Sequence, residues 1–155
     1  MRNLTSDFLD AAALDLLRVG LIAEIDYPST PLRAWTGPTS LTWDEKTWLG
    51  VGDLGGISAT TERSKTEAPT ISLQISGVTS TNLALALAES SQKRRATVWL
   101  ALFEIVDDEW SVIADPWRIR RGWTDVHKIL VGAKSATIQV SVESLLARLK
   151  AVGKA

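Results

Sequence analysis

Alternating apolar and polar residues predict that the chain consists mostly of short β-strands. Residues 70–76 and 136–142 alternate at every position, with aliphatic residues on one side and small neutral polar ones on the other. This period of two is typical of half-buried antiparallel strands. Residues 96–103 differ, because Trp99 and Phe103 make the second side of that strand apolar as well. A strand that is apolar on both sides must be covered on both, either by elements of this chain or by another copy of it.

Three further segments have the apolar spacing of amphipathic helices. Residues 5–18 carry a wide apolar face behind an N-cap at Thr5 or Ser6. Residues 79–91 and 143–151 repeat apolar positions in the same way. The first helix is expected to pack on the chain's own sheet or, alternatively, to dock on a neighbouring subunit.

Residues 33–57 form a stretch rich in tryptophan and glycine. The pattern predicts strands at 33–35, 41–43, 47–49 and 57–61, joined by tight turns. Trp43 and Trp48 lie on the facing strands of one hairpin, and both rings are expected to be buried in the core. The stretch is interpreted as architecture rather than as a site. The motif positions, with two at the end of a later strand, are Trp35, Gly37, Trp43, Trp48, Gly50, Gly52, Ser76 and Gly77.

Together these segments predict one mainly β domain over residues 1–155. Nine or ten strands with two or three helices fit an antiparallel β-barrel or sandwich flanked by α-helices. A chain of 155 residues has the usual size of one domain. Gly122 is expected to mark a β-bulge in the strand at 116–126, because the parity of the apolar positions changes there.

Charge and composition exclude several classes of protein. A net charge of -1, with both signs interspersed, argues against a nucleic-acid-binding surface. The one basic cluster, at residues 93–95, is interpreted as a solvated turn. The absence of cysteine excludes disulfides, thiolate metal sites and a cysteine nucleophile. Asp7, Asp10 and Asp15 interrupt any signal peptide, and no apolar run approaches the roughly 20 residues of a membrane span, so no membrane insertion is expected.

No set of side chains predicts catalysis. His127 is the single histidine, and Asp125 lies two residues away on the same side of a strand. Such a pair could hold a proton or a metal, but a surface histidine at a strand end is the simpler interpretation. The acidic residues 107–109 are interpreted as a solvated turn, and the glycines after Trp48 lack the lysine and the helix of a phosphate-binding loop. We expect no enzyme activity, no cofactor and no metal, although two carboxylates brought together by the fold stay possible.

Several segments, in order, resemble a siphophage and gene-transfer-agent family of tail-tip or baseplate-hub proteins. That family combines an MR-x-L helix, an E-x-D strand, an R-x-W strand, a W-x-x-x-x-W-x-G-x-G hairpin and an L-x-L-S-G strand. The matching residues here are Met1, Arg2, Leu4, Glu24, Asp26, Arg33, Trp35, Trp43, Trp48, Gly50, Gly52, Leu73, Ile75, Ser76 and Gly77, followed by Trp99, Asp115, Pro116, Arg121 and Gly122. The resemblance spans nearly the whole chain.

The resemblance implies a β-barrel of the tail-tube type whose copies form a ring around a channel for DNA. The chain would be a non-enzymatic structural protein of the virion tail, made in the host cytoplasm. It would act as a distal-tail or hub-like adaptor that links the tail tube to the host-facing tip, as a hexamer or a trimer. Its partners would be other tail proteins (tube, hub, tip or fibre), and genomic DNA would pass without specific binding. Family members usually carry a further domain, which does not follow here, and this favours the ring-forming adaptor. Whether the last helix replaces that domain stays open.

The loop at 61–69 and the strand at 96–103 are the expected subunit contacts. The residues assigned to them are Thr61, Glu62, Arg63, Lys65, Glu67, Trp99 and Phe103. Arginines 118, 120 and 121 are also placed at contacts rather than on the channel wall. A wall that does not grip DNA should be polar and without a basic stripe, which suits the polar sides of the two alternating strands. These residues are Ser72, Gln74, Ser76, Thr137, Gln139 and Ser141. An equally good interpretation is that they face bulk water and do not line a channel.

A different hypothesis is a carbohydrate-binding β-sandwich module at the tail tip. Such a module would use exposed tryptophans as a platform for sugar rings. The burial of the tryptophans therefore distinguishes the two hypotheses, because a core encloses its rings and a platform exposes them.

Overall fold

A computed structural model describes residues 4–28, 30–51, 54–55, 70–78, 93–131 and 136–144. Ten strands and one helix make up most of these residues. The elements are α1 (Ser6–Ala12), β1 (Arg18–Ile25), β2 (Leu32–Trp35), β3 (Leu41–Trp43), β4 (Lys46–Gly50), β5 (Leu54–Gly55), β6 (Thr70–Val78), β7 (Arg95–Val106), β8 (Glu109–Val112), β9 (Trp117–Val131) and β10 (Ala136–Ser144). The prediction of a mainly β chain is confirmed.

Two of the three predicted helices fall outside the described residues in whole or in part. The segment at 79–91 lies entirely outside them, as do residues 145–151 of the last predicted helix. Glu143 and Ser144, where that helix was expected to start, belong instead to β10. Pairing with β9 extends the alternating strand through both residues.

The helix α1 begins where the sequence predicts. Thr5 Oγ1 accepts a hydrogen bond from the Phe8 amide at 3.3 Å, which satisfies one of the free donors of the first turn. Phe8 and Ala11 are buried against Leu102 of β7. The helix therefore packs on the chain's own sheet, the first of the two predicted alternatives.

The helix ends earlier than the apolar spacing predicted, at Ala12 rather than at residue 18. Arg18 already belongs to β1, where it is the register partner of Phe103. Residues 13–16 form a turn and bends that lead into this strand, so the tertiary fold outweighs the helical pattern of the last turns. The leucines that would have extended the apolar face of the helix, Leu16 and Leu17, are exposed.

The strands form one open, mixed sheet in the order β3-β4-β2-β1-β7-β9-β10-β6-β5, with β8 also paired to β7. The described pairs are antiparallel except for β2 with β4, which run parallel. An antiparallel barrel or sandwich is therefore not confirmed. The alternating pattern predicts which segments are strands, but it does not predict that β4 returns past β3 to lie beside β2.

Both sides of β7 are covered within the chain. Leu102 lies under α1 on one side. On the other side, Trp99 contacts Trp48 of the β3–β4 hairpin, and Phe103 contacts Trp35 of β2. The strand that is apolar on both sides thus needs no second copy to cover it. A separate core on the α1 side of the sheet joins β1, β7 and β10 through Ala23, Ile25, Tyr27, Ala96, Val98, Val140 and Val142.

The prediction of a bulge at Gly122 is wrong, and the irregularities of β9 lie at other residues. Gly122 is in regular register with Ala96 of β7. The ladders shift instead at Ile119, which has no partner on β7, and at residues 125–126 opposite β10. A β-carbon at Gly122 would lie 1.9 Å from the carbonyl oxygen of Glu143. Close approach of the β10 backbone, rather than a bulge, therefore requires glycine at this position.

Candidate functional site

Aromatic rings from β2, β3, β4, β7 and β8 gather on the side of the sheet that the β3–β4 hairpin covers. We call this group the tryptophan cluster: Trp35, Trp43, Trp48, Trp99, Phe103 and Trp110. Neighbouring ring centroids are between 5.0 and 6.2 Å apart, in tilted or edge-on arrangements. Such arrangements are the favourable ones for aromatic pairs. The cluster holds the hairpin against β7.

The two hairpin tryptophans differ in burial. Trp48 is 1% exposed, and its Nε1 donates to the Trp43 carbonyl oxygen at 3.0 Å. Trp43 is only half-buried, because β3 is an end strand of the sheet. The two residues are diagonal neighbours in the ladder, where Trp43 pairs with Lys46 and Leu41 with Trp48, and their ring centroids are 5.3 Å apart. The prediction of burial is confirmed for Trp48, whereas Trp43 packs against the same core but is only partly buried.

Two of the motif glycines make room for Trp35. A β-carbon at Gly37 would lie 1.9 Å from the indole ring of Trp35, so the ring packs directly on that backbone. Trp35 Nε1 donates to the Thr39 carbonyl oxygen at 2.7 Å. The same oxygen would lie 2.2 Å from a β-carbon at Gly50. These motif positions serve the close packing of one buried ring.

An open cleft of about 350 Å³ lies at one end of the tryptophan cluster. We call it the cationic cleft. Its lining comprises Arg33, Lys46, Arg95, Arg118 and Arg121, the acids Glu24 and Asp26, and Pro31, Thr97 and Trp99. Five cations and two carboxylates leave a local excess of three positive charges, on a chain whose net charge is -1.

The register of four strands builds the cleft. One row across the sheet runs from Arg33 on β2 through Glu24 on β1 and Thr97 on β7 to Arg121 on β9, each residue paired with the next. The adjacent row ends with Trp99 beside Arg118. Since paired residues project to the same side of a sheet, these side chains share one face. Residues far apart in the sequence therefore meet in one place.

Most of the cationic groups remain accessible. Arg33 Nε donates to Glu24 Oε2 at 2.6 Å in a partly buried ion pair. Arg118 and Arg121 are exposed, and no carboxylate of the described residues lies within ion-pair distance of either. An incoming anion could therefore bind these two guanidinium groups without first displacing a described acidic partner.

Two other arginines of the region behave differently. Arg95 places its guanidinium carbon 5.9 Å from the centre of the Trp123 ring, within the range of a cation–π contact. Arg120 pairs in register with Val98, away from the cleft lining. Its Nε is buried and has no hydrogen-bond partner among the described residues. Of the three arginines that the sequence placed at contacts, the cleft contains 118 and 121.

A negatively charged turn lies at the end of β7 that is remote from the cationic cleft. We call Asp107, Asp108 and Glu109 the acidic turn; all three are exposed. Asp107 and Asp108 have φ angles of 50° and 63°, as a two-residue type I′ hairpin requires. At about 3.3 Å per residue along β7, Asp107 lies on the order of 30 Å from Thr97 in the cleft. Positive and negative charge are thus segregated to opposite ends of one strand.

The residues predicted as subunit contacts fall into three places. Trp99 is half-buried and belongs to both the tryptophan cluster and the cationic cleft. Phe103 is 2% exposed and contacts Trp35 and Trp110, so its ring lies inside the chain and offers no contact surface. Outside the described residues lie Gly52 of the motif and the loop residues Thr61, Glu62, Arg63, Lys65 and Glu67.

The two predicted polar rows lie side by side. β10 pairs with β6, and the register sets Gln139 opposite Gln74 and Ser141 opposite Ser72. The ladder shifts register beside residues 76–77, the Ser-Gly pair of the motif. The sheet therefore brings the rows together, as a common polar wall would require.

The strand register places the single histidine opposite an aliphatic residue of β10. His127 is the register partner of Val140 within the β9–β10 ladder. In the part of the chain that the structure describes, no three His, Asp or Glu residues are placed to hold a metal ion. Among the described helices, none has the length and apolar character needed to cross a membrane.

The cationic cleft was not predicted as a site, although the sequence carried a signal for it. Glu24 and Asp26 occupy alternate positions at the end of a mostly apolar segment, and Arg118 lies between Trp117 and Ile119 in another strand. Charges at alternate positions indicate that one side of a strand leaves the core. The sequence does not reveal that the two strands flank β7. Comparison of the chain with protein-family models and with curated proteins finds no match.

Proposed function

We propose that the chain is a structural subunit of a phage tail tip or baseplate, which assembles into a ring and joins the tail tube to the host-facing tip. The observation that carries the proposal is the convergence of the motif residues. Glu24, Asp26, Arg33, Trp99 and Arg121, which carry the resemblance to tail-tip proteins, all line the cationic cleft. Residues scattered along the chain thus belong to one surface, which supports a shared structural unit over a chance match.

The sheet also suits a subunit that is completed by assembly. Among the described strands, β3 and β5 lie at the two ends of the sheet, where backbone donors and acceptors can take part in further pairing. A barrel of the tail-tube type, flanked by helices, would form if residues beyond the described ones or neighbouring copies closed this path. The paired polar rows on β6 and β10 would then face the DNA channel, with short neutral side chains that do not grip phosphate.

A carbohydrate-binding module is the second candidate. Its platform would need exposed indole rings, yet Trp35 and Trp48 are each 1% exposed and the other five tryptophans are half-buried. Burial therefore favours the structural role. Trp99 is the ring best placed to contact a sugar, because it lines the open cleft beside several hydrogen-bond donors.

Imaging of tail tips tests the proposed function. The chain, labelled with a short epitope in the phage or gene transfer agent that encodes it, should appear as a closed ring of three or six copies around the tail axis. Particles without the chain should carry tails that lack a normal tip. A label distributed elsewhere in the particle, or normal tips in its absence, would contradict the role. Specific binding of oligosaccharides to the purified chain, lost on substitution of Trp99, would favour the second candidate.

A further inference from the structure

We propose that the cationic cleft binds the acidic turn of a second copy of this chain, so that subunits join head to tail. The inference rests on the proposed ring-forming function and names the contact that would build the ring. It follows from three features of the described residues: an accessible set of arginines, an exposed set of carboxylates, and their positions at opposite ends of β7.

The chemistry of the two surfaces is complementary. Arg118 and Arg121 present guanidinium groups, whose paired N–H donors match the two oxygens of a carboxylate. Asp107, Asp108 and Glu109 present three carboxylates on a hairpin tip whose backbone conformation is already set by the turn. A preformed turn loses little conformational freedom on binding, so a larger share of the interaction energy appears as affinity.

Apolar side chains accompany the charges at both ends. Ile105 and Val106, just before the acidic turn, are 43% and 49% exposed. At the other end, Trp99 is half-buried within the cleft. A turn inserted into the cleft would bring its aliphatic neighbours towards the accessible edge of this indole ring. The contact would then combine an apolar centre with a charged rim, the usual composition of a protein interface.

The positions of the two surfaces set the kind of assembly. On the order of 30 Å of β7 separates them, so the acidic turn cannot reach the cleft of its own chain. When two copies join through one such contact, one turn and one cleft stay free at the two ends of the pair. Such a contact continues until the subunits close into a ring, or else extends into a filament. A closed two-fold dimer, in which each copy's turn enters the other copy's cleft, would contradict the head-to-tail arrangement.

Two sets of substitutions at exposed positions test the acidic turn and the cationic cleft separately. Asp107→Asn with Asp108→Gly removes two carboxylates and keeps residues that a type I′ turn prefers. Arg118→Gln with Arg121→Gln removes the unpaired guanidinium groups from the cleft. The matched control is Asp44→Asn with Glu45→Gly, in the other acidic two-residue turn, where φ is also positive at both residues. Asp44 pairs with Lys46, so this control can only make the cleft more positive.

The experiment measures the mass of the full chain in solution by sedimentation, with each variant first checked for native folding by its thermal transition. The unmodified chain and the control should associate, and association should weaken at least about tenfold as salt screens the contact. Each contact variant alone should remain monomeric. Mixed in equal amounts, the two contact variants should form a one-to-one heterodimer and nothing larger, because only one intact turn and one intact cleft remain.

Several outcomes would overturn the inference. One is that either contact variant associates as strongly as the unmodified chain. Another is that the two mixed variants do not bind each other at low salt, even at a protein concentration of about 1 mM. A third is that the cleft binds a short DNA duplex in place of the turn. Rings that persist in both variants would leave the proposed function intact and remove this contact. If the head-to-tail contact forms but imaging places the chain outside the tail tip, the contact stands and the proposed function is wrong.

Discussion

Arg33 Nε lies 2.6 Å from Glu24 Oε2, across a ladder in which the two residues are direct register partners. The pair fixes one wall of the cationic cleft, and each side chain keeps a quarter of its surface exposed. Ion pairs at such positions contribute little to stability, because solvent screens them and ordering two long side chains costs entropy. Its role is therefore to hold Arg33 in place rather than to stabilise the fold.

Glu24→Gln should lower the free energy of unfolding by no more than about 1 kcal/mol. Urea unfolding of Glu24→Gln, Arg33→Gln and the double variant measures the coupling between the two residues. A coupling energy above about 2 kcal/mol would show that the pair behaves as a buried one.

Trp48→Ala should destabilise the chain by about 3–5 kcal/mol, because the ring is fully enclosed and its removal leaves a cavity. Trp43→Ala should cost clearly less, since this residue is only partly buried at the end strand. The two substitutions remove the same side chain from one hairpin, so each serves as the control for the other. Equal losses in urea unfolding would contradict the difference in burial.

Gly122→Ala should destabilise the chain by about 1–3 kcal/mol, because the added methyl group meets the backbone of β10 and one strand must shift. Arg121→Ala is the matched control at the preceding, exposed position, where the change should stay within about 0.5 kcal/mol. Thermal unfolding compares the two variants. A neutral Gly122→Ala would mean that β10 does not approach β9 as closely as described.

Glu45→Gly should stabilise the chain by up to about 1 kcal/mol. Glu45 has a φ of 56°, a conformation that costs a residue with a side chain about 1 kcal/mol and costs glycine almost nothing. Glu109→Gly removes the same side chain just after the other turn, within β8, and should be destabilising by about 0.5–1 kcal/mol. A lower melting temperature for Glu45→Gly would show that its side chain has a role beyond the turn.

Duplex DNA should bind the purified chain with a dissociation constant no tighter than about 1 µM at physiological salt, the range of non-specific binding. The cleft holds too short a row of cations to follow a phosphate backbone, and the polar rows on β6 and β10 carry no charge. Electrophoretic mobility shifts across a salt series measure this. Tight binding would contradict an inert channel wall.

The strands were predictable from the sequence because a period of two depends only on neighbouring residues. The hairpin turn at 44–45 and the polar rows on β6 and β10 follow from such local patterns. The last turns of the predicted first helix were not predictable in the same way. Their apolar spacing favours a helix, but residues 13–16 form a turn and bends and Arg18 already pairs with Phe103 in β1.

The cationic cleft depends on contacts that no local pattern contains. Glu24 pairs with Thr97, and Thr97 pairs with Arg121. Each strand carries one or two charges that, taken alone, indicate a solvated side. Their combination into a surface with three excess positive charges follows from the strand order of the sheet. The burial of Phe103, which was expected at a subunit contact, depends in the same way on Trp35 of β2 and Trp110 of β8, whose rings pack against it.

The strand order also has a consequence for synthesis on the ribosome. Ile22 of β1 pairs with Trp99 of β7, about half the chain's length later. Until β7 leaves the exit tunnel, β1 has β2 on one side and an open edge on the other, and the rings of Trp35 and Trp48 lack the strand that encloses them. A nascent chain in this state exposes apolar surface and unpaired backbone, both of which promote aggregation. The edge of β1 can therefore be paired only after β7 has emerged.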